Sequence, residues 1–330
     1  MTSSRLWPAV VLLLITTWSW GGMFPVAKPM LDILDPFFMT LIRFSLTALG
    51  LLLILFCVEG RKAFNFEGRL LRLLFLGTLG FACFNLLAFN GLVHSKPEHG
   101  AVIMATQPMI AVLLTWVMRG LKPGAFTLGT ILVAFAGVFL VITGGDIERA
   151  FGGGKIIWDL LFFTGATFWV AYTLGAQSFH SWSPLRYTAI TAGLGCLSIA
   201  LVSFGLTAVD MLSIPEWNTL VELRWSLAYL VIPAGIMGVL FWNMGIKKLG
   251  PINGVLFINF VPVSAFTIGA IQGHKITPTE VIGAAMVMTA LIANNLYVRS
   301  RMKRSQGSNR DSEQNDELPL RPVTAKPDNA

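Results

Sequence analysis

Residues 96–111 read KPEHGAVIMATQPMIA, an apolar run entered through Pro97 and Gly100 and interrupted at its centre by Thr106, Gln107 and Pro108. Residues 250–265, 154 positions later, read GPINGVLFINFVPVSA and place Pro251, Gly254 and Pro262 at the same spacing, with Asn259 near the second proline. A proline inside a helix removes a backbone hydrogen bond and clashes with the preceding turn. In lipid the freed carbonyls are tolerated only where protein or a water-filled cavity satisfies them. The repeated stretch therefore predicts two helices that loosen at Pro108 and Pro262 and turn those sites inward, with Gln107 and Asn259 as hydrogen-bonding groups there. Pro97 and Pro251 suit helix starts, where a missing donor costs nothing, and Gly100 and Gly254 suit close helix packing.

Working outward, hydrophobic residues make up 55% of the chain and charged residues only 12%, too little polar surface for a water-soluble globule. A helix crossing the hydrocarbon core needs roughly 20 apolar residues. Ten windows of that kind occur, near 6–31, 36–57, 70–91, 98–118, 125–143, 156–177, 184–206, 226–246, 252–272 and 278–298. The first follows Arg5 as a secretory signal does, but WSWGGMFPVAKPM (18–30) has no small-residue cleavage pattern, so it is expected to stay attached. Cys57, Cys83 and Cys196 lie in separate apolar windows, which implies neither a disulfide framework nor a metal site.

The formal charge of +7 is distributed by topology. With a cytoplasmic N-terminus, fourteen Lys and Arg fall on the inner loops and five on the outer ones, as the positive-inside rule requires. Both termini are then cytoplasmic in a multi-pass inner-membrane protein, and the basic balance is no sign of nucleic-acid binding. Lys28 and Arg43 lie within spans. After Tyr297 the chain turns polar, which predicts a disordered cytoplasmic tail over 300–330.

At the 154-residue offset, Gly91 aligns with Gly245, Pro97 with Pro251, Gly100 with Gly254, Pro108 with Pro262 and Gly129 with Gly283; nearer the start of each half the offset drifts to about 149, bringing Trp20 onto Trp169. The chain thus reads as an all-α integral membrane protein of ten transmembrane helices: a five-helix repeat over 1–150, a second over 151–299, and the tail. Five spans is an odd number, so the second repeat enters from the opposite side. Inverted repeats of this kind characterise many secondary transporters, with the solute site near the midplane.

WSWGGMFPVAK (18–28), LIRFSLTALGLLL (41–53) and the repeated P-x2-G-x7-P pattern resemble the EamA branch of the drug/metabolite transporter superfamily. The resemblance covers the chain to about residue 298. It implies a ten-helix export carrier with a central cavity, handling amino acids, related metabolites or drugs. The family often has Gly-Glu after the fourth and ninth spans, where this chain has MRGLKP (118–123) and IQGHKI (271–276), so a role for those glutamates does not carry over.

Trp20, Phe24 and Lys28 share one helix face. Lys28 either meets an anionic group in the cavity or snorkels to the headgroups. For Arg43 a buried ion pair, carbonyl capping and substrate binding are all open, with a structural or gating role favoured. Trp169 and Tyr172, with Gln177 matching Lys28, form the corresponding cluster in the second half, and Asn90 and Asn243 occupy nearly equivalent depths. The expected solute site is therefore Trp20, Lys28, Asn90, Gln107, Trp169, Tyr172, Gln177, Asn243 and Asn259, with Arg43, Pro108 and Pro262 at kinks or gates. Asp159, Glu98 and Glu280 fall near helix starts, where carboxylates complement the dipole, so a midplane acid for proton coupling is not supported. The reading is an exporter of small organic metabolites such as amino acids, acting without a cofactor and surrounded by lipid, as a monomer or homodimer. A multidrug or cationic-compound exporter is the alternative. An integral-membrane enzyme would need clustered acids or histidines at one face, and a channel a polar pore ring.

Overall fold

The structure, a computed structural model, describes residues 7–146, 156–249, 255–273 and 275–316, with backbone alone at 255, 256, 299 and 301–316. The expectations for Pro251 and Gly254 lie outside the described residues. Among those described, the regular elements are all helical. The principal ones are α1 (Trp7–Met30), α2 (Pro36–Glu59), α3 (Leu70–His94), α4 (Pro97–Ala105), α5 (Gln107–Arg119) and α6 (Ala125–Thr143). There follow α7 (Ile156–Phe179), α8 (Pro184–Ala208), α9 (Arg224–Leu249), α10 (Phe260–Ile271) and α11 (Pro278–Asp316).

Among the described residues eight helices are long and apolar enough to span a bilayer, and the α4–α5 pair makes a ninth if its 47° bend is taken as one broken span. The ninth expected window, 252–272, appears as an apolar helix of 257–271 that is shorter than a full crossing. Large apolar side chains point outward along the bundle, with Leu71 81%, Val117 81% and Leu201 77% exposed, as a lipid-facing surface requires and an aqueous one does not. The backbone of α11 stays helical to Asp316, and the rest of the expected tail lies outside the described residues. Elongating a helix already nucleated in the membrane fixes one residue per added hydrogen bond, so polar residues can follow the last span in helical form.

Local chemistry sets the boundaries. Pro36 opens α2 while Asp35 accepts the Phe37 N–H at 2.8 Å; Pro184 opens α8 while Ser183 accepts the Arg186 N–H at 2.9 Å. A capping oxygen and an N1 proline thus recur in both halves. Gly120 (φ 69°) and Gly144 (φ 62°) close α5 and α6 in the left-handed region that glycine enters without penalty. The bend at Thr106 follows from Pro108, which has no N–H for Met104; the Thr106 hydroxyl bonds Ile103 O at 2.7 Å instead. Pro262 behaves differently from the expected mid-helix kink. The backbone runs as a 3-10 turn over Val255–Asn259 and becomes α-helical at Phe260, so Pro262 sits in a first turn, where its missing donor is harmless.

Two π-helical turns interrupt α3 at Thr78–Cys83 and α9 at Ile232–Met237, again 154 residues apart. The packing is paired in the same way. Helix α1 packs on α9 and α10, and α7 packs on α3 and on the α4–α5 segment; α2 lies on α8, and α6 on α11. Gly137 and Gly283 face one another across the last pair, each leaving no room for a Cβ against the other's carbonyl. Such small-residue contacts let membrane helices approach closely enough to pack.

Candidate functional site

The π-turn of α9 and the middles of α1, α2, α3 and α7 meet around a central cavity of about 30 Å³, room for one water, with Trp20, Arg43, Phe81, Asn85 and Trp169 on its wall. A π-turn shifts the hydrogen-bond register and releases carbonyls. Two of these are taken up here: Ala234 O accepts the Trp20 indole N–H at 3.0 Å and Leu230 O accepts Arg43 Nε at 3.2 Å. The guanidinium is 4% exposed. Its other bonds go to Asn85 Oδ1 at 3.3 Å and to the weak acceptor Met23 Sδ at 3.0 Å, with Phe44 and Phe89 rings at 4.8 and 5.4 Å. Among the described residues no carboxylate pairs with it. Burying an ion costs several kcal/mol even after relaxation, whereas each ring returns about 0.5–2 kcal/mol. The site is left short of a negative charge.

Next to it, sharing Trp169 and Val239, lies a second cavity of about 300 Å³ between α7, α8 and α9. Tyr172 and Tyr187 stack there with centroids 5.3 Å apart, and Tyr172 Oη lies 3.2 Å from Thr191 Oγ1. Asn243 donates to Thr188 Oγ1 at 2.8 Å. The rim carries His180 and Lys247, both exposed. Trp20 stands between the two spaces, 6.3 Å from Trp169 and 5.3 Å from Trp242.

At the rim, Arg186 stacks 3.7 Å over Trp182 and donates to Ala63 O at 2.8 Å and Glu67 Oε1 at 2.9 Å. The Trp182 indole donates to Glu67 at 3.0 Å. That indole, reinforced by Arg186, holds the Glu67 carboxyl below the usual carboxylate range.

The opposite end is sealed by polar contacts. Lys28 Nζ caps Leu92 O and Val93 O at 2.7 and 2.5 Å. Ser95 donates to Asp159, and His99 Nδ1 lies 3.3 Å from Asp159 Oδ1. Glu280 accepts from Lys96 at 2.5 Å and from the Thr277 N–H at 2.8 Å, with His99 Nε2 at 3.9 Å. One network therefore ties the α3–α4 link to the first turns of α7 and α11.

Of the residues singled out from sequence, Trp20, Trp169 and Arg43 line the central cavity, and Tyr172 and Asn243 the larger one. Lys28 sits in the sealed end. Gln107, buried, donates to Met104 Sδ at 2.9 Å; Asn90 bonds Leu86 O at 2.7 Å; Gln177 accepts from Arg119 at 3.0 Å. Asn259 is buried at the 3-10 to α junction, and none of these four lines either cavity. Tyr187 is a cavity residue that the sequence reading misses; its signal is a second tyrosine in the first turn after Pro184.

The EamA-like transporter family model matches this chain twice, over residues 7–143 and 156–296. The chain belongs to this family. Two relatives from Bacillus subtilis (strain 168), both described as uncharacterized transporters, are YrdR and YyaM. YrdR is 35% identical over 91% of this chain and 94% of its own length, and YyaM 33% over 84% and 90%. A WAT1-related chloroplastic protein of Arabidopsis thaliana is 23% identical over 84% of this chain and 66% of its own. A solved structure, described only as the crystal structure of a protein, superposes with a TM-score of 0.62 at 17% identity, covering 88% of this chain and 98% of that one. That similarity concerns the fold. This EamA-like chain is a multi-pass membrane protein of a transporter family.

Proposed function

We propose that the chain is a secondary transporter that exports small organic metabolites, amino acids or related compounds, across the cytoplasmic membrane by alternating access between two inverted five-helix halves. One observation carries this reading. Positions 172, 173, 176 and 243, on the wall of the 300 Å³ cavity or beside it in the second half, correspond under the repeat offsets to Met23, Phe24, Ala27 and Phe89 in the first; those four are 3%, 0%, 0% and 1% exposed. Equivalent helices are parted at one end and packed shut at the other. Exchanging the two arrangements opens the outer end and closes the inner one, which is how an inverted pair transports.

The duplicated family match, the matching π-turns and the paired packing support the two halves. The cavity wall is aromatic with a few polar groups, as small-molecule sites are. The test is counterflow in proteoliposomes across a panel of amino acids, organic acids, neutral amides and amines. Saturable flux accelerated by the same solute on the far side is expected, and Trp169→Ala is expected to change its KM. Linear, non-saturating flux for every solute would sink the proposal and point to a channel.

A further inference from the structure

We propose that Arg43 is the anion-binding group of the central cavity and that the transported solute is a monoanionic organic carboxylate with a flat apolar body. This rests on the transporter reading above and narrows its solute, setting organic acids ahead of zwitterionic amino acids. A guanidinium has five N–H donors in a planar fork, and Arg43 has three described bonds, one of them to a thioether. Met23 is a flexible, weak acceptor, so a carboxylate can displace its sulfur and take the fork with two parallel bonds. Independently, the Thr47 hydroxyl, 0% exposed, has no hydrogen-bond partner. It lies one helical turn from Arg43 and beside Gly235, which lines the cavity. An orphaned buried hydroxyl calls for a missing partner, and a carboxylate oxygen is one.

The rest of the wall sets the class. Trp20, Phe81, Phe84 and Trp169 line the same cavity as Arg43, which suits a flat apolar group held beside the carboxylate. A single unbalanced positive charge is neutralised by one negative charge; a dianion or an amine would leave net charge among these rings. The site is small in this arrangement because Trp20 and Trp169 stand between it and the larger cavity; rotation of these rings would join the two spaces.

The experiment uses the full chain in lipid nanodiscs, with intrinsic tryptophan fluorescence read during titration with phenylacetate, phenylacetamide and phenethylamine. Phenylacetate is expected to quench saturably, and the amide and amine to bind at least about ten-fold more weakly, the scale of one charge-assisted contact. Arg43→Gln is expected to remove that preference, weakening phenylacetate to the level of the amide, while Arg43→Lys retains part of it because it keeps charge without the fork. Absent phenylacetate quenching, equal binding of the three solutes, or a preference for the amine overturns the proposal in the wild-type chain, whatever the fate of the variants. Flux separates the two readings. If amines or neutral solutes show saturable counterflow and organic carboxylates do not, Arg43 is not the solute site but the transporter stands; if nothing in the panel does, the transporter reading itself falls.

Discussion

Glu280 and Lys96 form one ion pair, yet the two side chains are not equivalent. Lys96 is 53% exposed on its side chain and Glu280 4%. Removing the lysine leaves a carboxylate still bonded to the Thr277 N–H and facing His99, and an ion pair with one solvated partner is worth about 1 kcal/mol or less. Removing the charge of Glu280 weakens all three at once, since the Gln amide keeps one acceptor oxygen but no charge. Lys96→Ala is therefore expected to lower the thermal midpoint in detergent only slightly, and Glu280→Gln to lower it several-fold more; equal shifts would show that the network does not depend on its buried member. Glu67 gives a pH-dependent case at the other end. Its carboxyl is held low in the folded chain by Trp182 and then Arg186, so its contribution is fully present above the unfolded carboxyl value of about 4.3 and is lost as pH falls through the lower folded value. Exchange protection of the 61–69 loop, corrected for intrinsic rates, is expected to hold from neutrality to about pH 5 and decline below it. In Glu67→Gln that decline should vanish; if it persists unchanged, another group holds the loop.

At the scale of the elements, the close Gly137–Gly283 approach fixes how α6 lies on α11. A side chain at 137 meets the Gly283 carbonyl at 2.6 Å, closer than Met286 and Val287 at 3.0 Å, and overpacking of that kind costs about 1–3 kcal/mol. Gly137→Val is expected to lower the thermal midpoint, and no single truncation in α11 is expected to rescue it, since the obstacle is the Gly283 carbonyl. Rescue by Val287→Ala would mean the side chains, and not the backbones, are in contact. The spans themselves are legible in the sequence because apolar runs of that length seldom occur outside membrane helices, and the break at Thr106 is legible because Pro108 forbids one specific hydrogen bond. The π-turns are only half legible: Thr78–Cys83 contains neither proline nor a charged residue, while Ile232–Met237 holds Pro233, which marks a disturbed helix but not the shift of register. Gln107 and Asn259 read as cavity groups from their neighbours' chemistry, but where an amide points depends on the bend angle, which lies beyond local residue types. The Asp159–His99–Glu280 network is equally hidden, because each acid alone reads as an ordinary first-turn carboxylate and their meeting depends on three segments packed together.

For the whole molecule, an approximately symmetric sequence leaves open which end is closed, and the asymmetry of packing is what the fold adds. Lys247 is exposed at the rim of the larger cavity, while Met30, at the repeat-equivalent depth of Phe179, is 1% exposed. If the two halves exchange arrangements, closing the inner cavity must uncover the outer one. In a chain with Cys57, Cys83 and Cys196 replaced by serine, Lys247→Cys is expected to react quickly with a membrane-impermeant maleimide supplied from the cytoplasmic side, and Met30→Cys slowly from either side. Adding Glu280→Gln weakens the sealed end without touching the inner rim. Met30→Cys should then react several-fold faster from the outer side only, and Lys247→Cys more slowly, because population moved to one arrangement leaves the other. Parallel acceleration at both sites would indicate general loosening, and reaction of both from the same side would exclude two ends that open in turn.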